Sequence, residues 1–309
     1  MERLTHIITS EQFNRNWLEE EFFPLVEQME KKVSLGGSND LIGKRMISFF
    51  YEPSTRTRAS FEIAMDFMGG KVVFSTENAK QFSSVAKGET IEDTSRILSG
   101  FRPDVIVLRT DEEGMAKIAA DFSSVPIINA GDGIGQHPTQ ALLDIYTIQK
   151  ELGAIDGLTI AICGDLARGR TAKSLALLIT KFKNMKVYFV APDVMQIDET
   201  IKDYLRSHDV IVETSNDIRE MASLADVIYQ TRIQKERGTL VARYEAGKGF
   251  YKIDASVIGL MKEKAIVMHP LPRVEEITPE VDKDPRAAYF RQAENGLYVR
   301  MALLKMILG

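Results

Sequence analysis

The chain has 309 residues, of which 44% are hydrophobic and 27% charged, and its 39 Lys+Arg against 44 Asp+Glu give a net charge of −5. This composition is ordinary for a folded globular protein, so it excludes general disorder, and the acidic balance argues against a general nucleic-acid-binding protein. The single cysteine excludes an intramolecular disulfide and a Cys-rich zinc site, and the lack of a long apolar run or a signal pattern predicts a cytoplasmic protein without a membrane span.

In chain order, the first predicted element is a helix from about Ser10, because Thr9 and Gln12 fit a capping box. Pro24 should break or restart this helix, since proline lacks the backbone N–H that a helix interior uses. The stretch Ser34–Asp40 combines glycines with small polar residues and is predicted to be a loop.

Short β-branched and aromatic runs then recur and predict strands buried on both faces. They are Met46–Tyr51, Val72–Phe74, Val105–Leu108, Pro126–Asn129, Thr159–Cys163, Val187–Val190, Val210–Val212, Val227–Gln230 and Ala265–Met268. Helical patterns separate or follow them over Thr57–Met68, Thr90–Ser99, Thr139–Leu152, Thr171–Phe182, Met195–Arg206 and Gln292–Leu308. Strands that alternate with helices predict an α/β fold with parallel sheets, in which ligands bind at the carboxyl ends of the strands.

The length predicts two domains, because a domain takes roughly 100–200 residues. We expect each domain to be a parallel sheet flanked by helices, with long helices joining the two. The first would span 1–138 and the second 150–288, with the joint in the helix after His137-Pro138. The final helix, 290–309, is expected to return to the first domain.

Five consecutive hydrogen-bond donors, Ser54-Thr55-Arg56-Thr57-Arg58, follow the first predicted strand and open a helix. The N–H groups and the positive dipole end of a helix start attract anions, and hydroxyls with an arginine fork suit phosphate. A Ser/Thr cap with two solvated arginines is the alternative. The unbroken run of donors after a buried strand favours a phosphate site.

Two further strand ends carry candidate groups. Arg109 ends the strand Val105–Leu108 and is either a surface ion pair or a ligand clamp. The stretch Asn129–Gln140 follows the next strand, and its three glycines allow close backbone approach. Pro138 suits the first position of a helix, so His137 would lie at the helix start, where it either caps the helix or donates to a developing oxyanion.

The stretch Gly164–Thr171 follows a predicted strand with the spacing G-x-x-x-x-G-R-T. It differs from a nucleotide P-loop by Arg170 in place of lysine, so a P-loop NTPase is the alternative from a different functional class. Arginine grips planar anions bidentately, whereas lysine reaches phosphates as a point charge. Arg170 therefore favours a carboxylate ligand, and a plain βα turn that needs glycine is the remaining interpretation.

Cations recur at the predicted strand ends and helix starts of this acidic chain, which predicts a pocket for a ligand with several negative charges. They are Arg56, Lys87, Arg109, Arg170 and Arg232. The segments around Lys87 and Arg232 are unremarkable alone, as a capped helix start and a charged surface loop. The last strand ends in Met268–Arg273, whose two prolines suggest a cis bond in a rigid turn.

Together these segments resemble the transcarbamylase family over nearly the whole chain, in the right order. The matching residues are Phe50–Arg58, Lys87–Thr90, Asn129–Gly133, His137–Gln140, Gly169–Thr171, Thr231–Arg237 and His269–Arg273. The S-T-R-T and H-P-T-Q segments are general to the family, whereas T-R-x-Q-K-E-R and H-P-L-P-R resemble its aspartate branch. The ornithine branch carries a cysteine in the latter motif, and Cys163 lies elsewhere.

The resemblance implies a reaction in which carbamoyl phosphate and L-aspartate give N-carbamoyl-L-aspartate and phosphate, an early step of pyrimidine (UMP) synthesis that needs no cofactor or metal. It implies that the phosphate is bound by Ser54, Thr55, Arg56 and Thr57, and that the carbonyl oxygen is polarised by Thr57, Arg109 and His137. It further assigns the carbamoyl amide to Gln140 and to the backbone carbonyls of Leu271 and Pro272. The aspartate carboxylates would be held by Lys87, Arg170, Arg232 and Gln234.

Ser83 and Lys87 match residues that enter from the neighbouring subunit in this family, which implies a homotrimer with shared active sites. Many bacterial members pair with a zinc-bearing regulatory chain, and the sequence leaves that partner open. A transcarbamylase for another amine, such as ornithine, is the closest alternative function. A catalytically inactive binding subunit is a third alternative.

Overall fold

The computed structural model describes residues 4–233 and 251–309. It divides into two compact units, one comprising the described residues up to Thr139 together with Asn295–Gly309, and the other Gln140–Glu294. Each unit is built on its own sheet, and every strand pair in both sheets is parallel. The predicted α/β class is confirmed.

The first unit contains a four-stranded sheet in the order β2-β1-β3-β4. Its strands are β1 (Arg45–Phe50), β2 (Lys71–Thr76), β3 (Val105–Thr110) and β4 (Ile127–Asp132). The N-terminal segment pairs with β4 in parallel at Ile7. Ile7 N–H donates to Ile127 O (2.9 Å), and Ile7 O accepts from Asn129 N–H (2.7 Å).

The second unit contains a five-stranded sheet in the order β7-β6-β5-β8-β9. Its strands are β5 (Thr159–Cys163), β6 (Lys186–Val190), β7 (Ile211–Ser215), β8 (Val227–Gln230) and β9 (Ile266–Met268). All nine predicted strands are therefore found among the described residues. Two of them depart from the prediction in burial, since β2 and β7 lie at sheet edges and are largely exposed. An edge strand has one neighbour only, so its side chains need not be apolar on both faces.

Helices cover the strands of both sheets. They are α1 (Phe23–Ser34), α2 (Thr55–Phe67), α3 (Ala79–Phe82), α4 (Ile91–Gly100), α5 (Met115–Phe122), α6 (Pro138–Leu152), α7 (Arg170–Ile179), α8 (Glu199–Arg206), α9 (Ile218–Leu224), α10 (Ala255–Ile258) and α11 (Tyr289–Leu308). The helix predicted from Met195 begins later, because a 3₁₀ turn over Asp193–Met195 precedes α8 and Asp198 caps it by accepting from Thr200 N–H (2.8 Å).

The predicted helix start at Ser10 is wrong, because helical residues begin only at 15. Gln12 does reach back, accepting from Thr9 N–H (3.1 Å), but it also accepts from Ile8 N–H (2.7 Å), which closes a turn instead of a helix. Asn14 supplies the helix-starting acceptor by taking Trp17 N–H (2.9 Å). Pro24 lies at the start of α1, directly after a π-helix over Trp17–Phe22.

Candidate active site

The strand order of the first unit brings two predicted segments side by side. Strand β1 pairs with both β2 and β3. The connection after β1 leads to β2 and the one after β3 leads to β4, in the opposite direction, so the strand order reverses between β1 and β3 at a topological switch point. Ligands of open parallel sheets bind in the crevice at such points. Ser54–Thr57 follow β1, and Arg109 lies next to the end of β3, where its carbonyl accepts from Tyr51 N–H (2.8 Å).

The candidate phosphate segment forms the start of α2. Ser54 is the N-cap residue and its hydroxyl makes no cap hydrogen bond to the helix. The first helical bond joins Arg58 N–H to Ser54 O (3.0 Å), so the N–H groups of the first turn have no intrahelical acceptor. Thr55 and Arg56 are exposed, whereas Thr57 is buried. A thirteen-residue helix thus directs the positive end of its dipole at this segment.

His137 is buried and lies against the same helix start. Its Nε2 is 3.5 Å from the Thr57 hydroxyl, and its Nδ1 is 3.3 Å from the Thr139 hydroxyl. A hydroxyl either donates or accepts, so both ring nitrogens keep a partner in either neutral tautomer. The structure therefore brings together Thr57 and His137, two groups predicted to polarise one carbonyl oxygen.

Arg109 is held by two acceptors that the sequence did not reveal. Its guanidinium makes an ion pair with Glu52 (2.6 Å) and donates to the carbonyl of Ala130 (3.3 Å). Its side chain is only 11% exposed, so the ion pair is not a solvated surface contact. Glu52 lies two residues before Ser54, and only the pairing of β1 with β3 places it beside Arg109.

The turn before His137 is fixed by Asp132. One carboxylate oxygen accepts from Gln136 N–H (2.6 Å) and the other from Gly114 N–H (3.0 Å). A Cβ at Gly133, whose φ is +48°, would lie 2.7 Å from the backbone nitrogen of Glu113, so this position needs glycine. The Asn129–Gln140 stretch is thus rigid where the sequence predicted close backbone approach.

The second unit repeats the arrangement with its own switch point. Strand β5 lies between β6 and β8, so Gly164–Arg170 and Thr231–Arg232 follow neighbouring strands. Gly164 has φ +115°, and a Cβ there would meet Thr231 O at 2.3 Å. Thr231 is tied to the end of β5 by its N–H and its hydroxyl, each 2.8 Å from Cys163 O.

Arg170 opens α7 and is buried, with 3% of its surface exposed. A buried arginine at a helix start differs from the flexible lysine of a P-loop in charge distribution and reach. Arg232 is partly buried and donates to the carbonyl of Ile233 (3.3 Å). Gln234 lies outside the described residues.

The segment after β9 is shaped by His269. Its Nδ1 accepts from Leu271 N–H (2.7 Å), so Nε2 carries the proton and donates to Glu276 (2.8 Å). Burial alone would raise the pKa of Glu276, but the hydrogen bond from His269 and those from backbone N–H groups outweigh it and hold that pKa below its ordinary value. The Leu271–Pro272 bond is cis, as the sequence suggested.

Gln140 belongs to a buried polar cluster that the sequence did not reveal. Its side-chain amide donates to Asp144 (2.8 Å), which also accepts from Tyr229 and Gln292. The four-residue spacing of Gln140 and Asp144 on α6 was the available signal, since such residues share a helix face. Tyr229 and Gln292 come from distant parts of the sequence and only folding brings them in.

The predicted neighbour-subunit residues lie on one short exposed segment of the first unit. Ser83 donates to Ala79 O (2.6 Å) and accepts from Val85 N–H (3.1 Å). Lys87 is exposed at the end of a 3₁₀ turn over Ser84–Lys87, which Gly88 closes with φ +93°. Their role in a second subunit stays a prediction.

Across the residues that the structure describes, no cluster of three or more His, Cys, Asp or Glu side chains is arranged to hold a metal ion. Nor is any helix in that part of the chain long and apolar enough to cross a membrane.

Comparison with known proteins assigns both halves of the chain. Residues 5–150 match the family profile described as aspartate/ornithine carbamoyltransferase, carbamoyl-P binding domain. Residues 156–307 match the profile described as aspartate/ornithine carbamoyltransferase, Asp/Orn binding domain. The two matches cover every segment on which the resemblance was based.

Individual relatives agree with the profiles. The chain is 55% identical to the chloroplastic aspartate carbamoyltransferase of Arabidopsis thaliana, over 99% of this chain and 78% of the relative. It is 48% identical to the aspartate carbamoyltransferase catalytic subunit of Thermoplasma volcanium, over 94% of this chain and 93% of the relative. The crystal structure of aspartate transcarbamoylase from Trypanosoma cruzi in complex with carbamoyl phosphate and aspartate superposes with a TM-score of 0.91 at 40% identity, covering 99% and 97% of the two chains. The chain belongs to the aspartate/ornithine carbamoyltransferase family.

Proposed function

We propose that this chain transfers the carbamoyl group of carbamoyl phosphate to L-aspartate, giving N-carbamoyl-L-aspartate and phosphate. One observation carries the proposal: relatives that share about half of its residues over its whole length are aspartate carbamoyltransferases. The product is a pyrimidine precursor, so the reaction belongs to pyrimidine synthesis. Among the described segments, the H-P-L-P-R sequence at His269–Arg273 supports aspartate over ornithine as the acceptor.

The phosphate of carbamoyl phosphate is assigned to Ser54, Thr55, Arg56 and Thr57. The helix start of α2 supports this, because N–H groups without intrahelical acceptors and a positive dipole end stabilise an anion. The carbonyl oxygen is assigned to Thr57, Arg109 and His137. Their donors would stabilise the negative charge that grows on this oxygen in the transition state.

The carbamoyl amide is assigned to Gln140 and the backbone carbonyls of Leu271 and Pro272, and the two carboxylates of aspartate to Lys87, Arg170, Arg232 and Gln234. Buried, forked guanidinium groups suit carboxylates, because two parallel N–H bonds match the two oxygens. The burial of Arg170 supports this role. The arginine at this position also weakens the NTPase alternative, because a P-loop has a lysine there.

The reaction needs no protein nucleophile. The neutral amine of aspartate attacks the carbonyl carbon, the new C–N bond forms, and the C–O bond to phosphate breaks. The departing phosphate takes the proton that the amine loses, so atoms and charge balance without a protein base. Most of the acceleration then comes from holding the two substrates together, which contributes about 7–11 kcal/mol in well-oriented reactions.

We further propose a homotrimer in which Ser83 and Lys87 enter the neighbouring subunit's site. The exposure of both the 3₁₀ turn and Lys87 supports this, since a side chain that serves another subunit must leave its own. A zinc-bearing regulatory chain remains a candidate partner, because the Thermoplasma relative is named a catalytic subunit. A cytoplasmic location is likewise proposed from the sequence, whereas the plant relative is named chloroplastic.

The test is product formation by the purified chain with carbamoyl phosphate and either L-aspartate or L-ornithine. We expect N-carbamoyl-L-aspartate with aspartate and no citrulline with ornithine. Product with ornithine alone would replace the proposed acceptor. No product with either amine, from a folded chain, would support an inactive binding subunit instead.

A further inference from the structure

A fully buried carboxylate lies one helical turn after Gln140. Asp144 Oδ1 accepts from the side-chain nitrogens of both Gln140 (2.8 Å) and Gln292 (2.6 Å). Its Oδ2 accepts from the Tyr229 hydroxyl (2.7 Å). All four side chains are at least nine-tenths buried, and all four belong to the second unit.

The chemistry of Asp144 fixes the orientation of both amides. Asp144 Oδ1 is the acceptor of both bonds, so each glutamine turns its NH₂ group toward it and its oxygen away. Gln292 confirms this geometry, because its Oε1 accepts from the backbone N–H of His269 (2.8 Å). By the same constraint, the oxygen of Gln140 is directed away from Asp144 as a hydrogen-bond acceptor.

The network also reaches the segment after β9. Gln292 holds the backbone of His269, and the His269 ring in turn accepts from Leu271 N–H (2.7 Å). Asp144 thus supports two acceptor sets at once: the amide oxygen of Gln140 directly, and the backbone that bears the carbonyls of Leu271 and Pro272 indirectly. Both sets are assigned above to one chemical group, the NH₂ of the carbamoyl donor.

We propose that Asp144 is a positioning residue that makes the site select an acyl phosphate bearing NH₂ over one bearing a methyl group. This rests on the proposed function. The three oxygens assigned to this group would gain hydrogen bonds from NH₂ but none from a methyl group of the same size. Acceptors left unpaired against a methyl group also lose the water that satisfied them, which is why polar sites reject analogues that lack the donor.

The test uses two stable phosphonates that differ only at this group. Phosphonoacetamide carries NH₂ next to the carbonyl, and 2-oxopropylphosphonate carries CH₃. Binding of each is measured by titration calorimetry to the wild-type chain and to Asp144→Leu, which removes both acceptor oxygens and keeps the branched shape of the side chain. We expect Asp144→Leu to reduce the preference for the amide at least tenfold, with the affinity for 2-oxopropylphosphonate within about threefold of wild type.

Asp144→Asn is the conservative variant. The asparagine oxygen can replace Oδ1 and keep both glutamine amides, while its NH₂ faces the Tyr229 hydroxyl, which accepts as well as donates. We therefore expect the amide preference to return to within about threefold of wild type. A role in overall packing alone predicts no such difference between leucine and asparagine.

Two more variants separate positioning from stability. Tyr229→Phe removes the donor to Oδ2 but leaves both amides on Oδ1, so it should lower the melting temperature and leave the amide preference unchanged. Gln292→Met keeps the Gln140–Asp144 bond but removes the acceptor of His269 N–H, so the preference should fall part of the way. This variant tests the proposal even where Asp144→Leu does not fold.

The inference is overturned when Asp144→Leu and Gln292→Met both keep the wild-type preference, or when Tyr229→Phe loses as much preference as either of them. These outcomes are distinct from failure of the proposed function. If the proposed function fails, the wild-type chain itself forms no N-carbamoyl-L-aspartate and binds the two phosphonates equally.

Discussion

Different arginine side chains are proposed to bind the two substrates. Arg56 lies at the start of α2 in the first unit, whereas Arg170 and Arg232 follow β5 and β8 in the second. Each is at the carboxyl end of a parallel strand or the start of the next helix, where backbone dipoles favour anions. A substitution at one of them should therefore affect one substrate much more than the other.

Replacing Arg232 with alanine should raise the KM for aspartate tenfold or more and leave the KM for carbamoyl phosphate within about twofold. Loss of a charge-assisted hydrogen bond costs about 1.5–3 kcal/mol, and this loss falls on the carboxylates alone. Steady-state kinetics with each substrate varied in turn measures the split. Arg219→Ala is the matched control, because Arg219 is an exposed arginine of the same unit that donates to Ser256 (2.8 Å). Equal increases for both substrates would remove Arg232 from the carboxylate role.

Turns after the strands carry most of the candidate groups, and their geometry depends on single residues. The β5–α7 turn requires glycine at 164 because Thr231 of the neighbouring strand end lies against it. The segment after β9 depends on the pair of buried His269 and partly buried Glu276, which accepts from Leu271 N–H and from the N–H groups of Val274 and Glu275. The β5–α7 turn is therefore fixed by a contact with the neighbouring strand end, whereas the segment after β9 is fixed by hydrogen bonds among its own residues.

Gly164→Ala should destabilise the protein by about 1–3 kcal/mol more than Gly153→Ala. Both glycines have positive φ, so both substitutions carry the left-handed backbone cost of about 1–2 kcal/mol. Only Gly164 adds a clash, with Thr231 O at 2.3 Å, while nothing lies within 4 Å at Gly153. Overpacking of this kind costs about 1–3 kcal/mol. Urea unfolding of the two variants measures the difference, and equal losses would contradict the close approach.

Glu276→Gln should lower the free energy of unfolding at pH 7, and should make that free energy fall less steeply as the pH is lowered. The folded-state pKa of Glu276 lies below the ordinary value of 4.5, so the pair with His269 stabilises the fold above that pH and is lost as the pH falls below it. We expect a loss of about 1–3 kcal/mol at pH 7, the range for a hydrogen bond to a charged group. Urea unfolding between pH 7 and pH 3 measures both effects. An unchanged slope below pH 5 would show that this pair does not contribute.

At the scale of the whole molecule, we propose that a second chain completes each site. Arg56 and Lys87 both belong to the first unit, yet the family resemblance assigns Lys87 to the neighbour's site. A residue that serves another subunit makes activity depend on assembly, and this dependence can be tested without a structure of the trimer.

Arg56→Ala and Lys87→Ala should each be nearly inactive, and a mixture should regain activity after subunit exchange. In a hybrid trimer, the Lys87→Ala chain can supply Arg56 and an adjacent Arg56→Ala chain can supply Lys87. A site formed by that pair contains both residues. Random assembly of equal amounts should restore about a quarter of the wild-type activity, because each of two positions must hold one particular chain. Mixing without exchange is the control. Exchange without recovery would contradict a shared site.

The sequence by itself determined the class of the fold and the chemistry of the candidate groups. Alternation of apolar runs with helical patterns is a local signal, so the nine strands were predicted within a few residues. The motif segments around Ser54, His137, Arg170 and His269 were likewise readable, because each is contiguous. The helix predicted from Ser10 was wrong for a related reason: the capping pattern was present, but Gln12 satisfied two N–H groups in a turn that the local pattern does not distinguish from a helix start.

Only the tertiary structure decided the strand order, and with it the partners of the candidate groups. The pairing of β1 with β3 places Glu52 on Arg109, and the pairing of β5 with β8 forces Gly164 against Thr231. Asp144 gathers Gln140, Tyr229 and Gln292 from positions up to 148 residues away. Hydrogen bonds between residues so far apart in the sequence leave no periodic pattern to detect. The residues meet because of the strand order and the helix packing, and no local pattern specifies either of these.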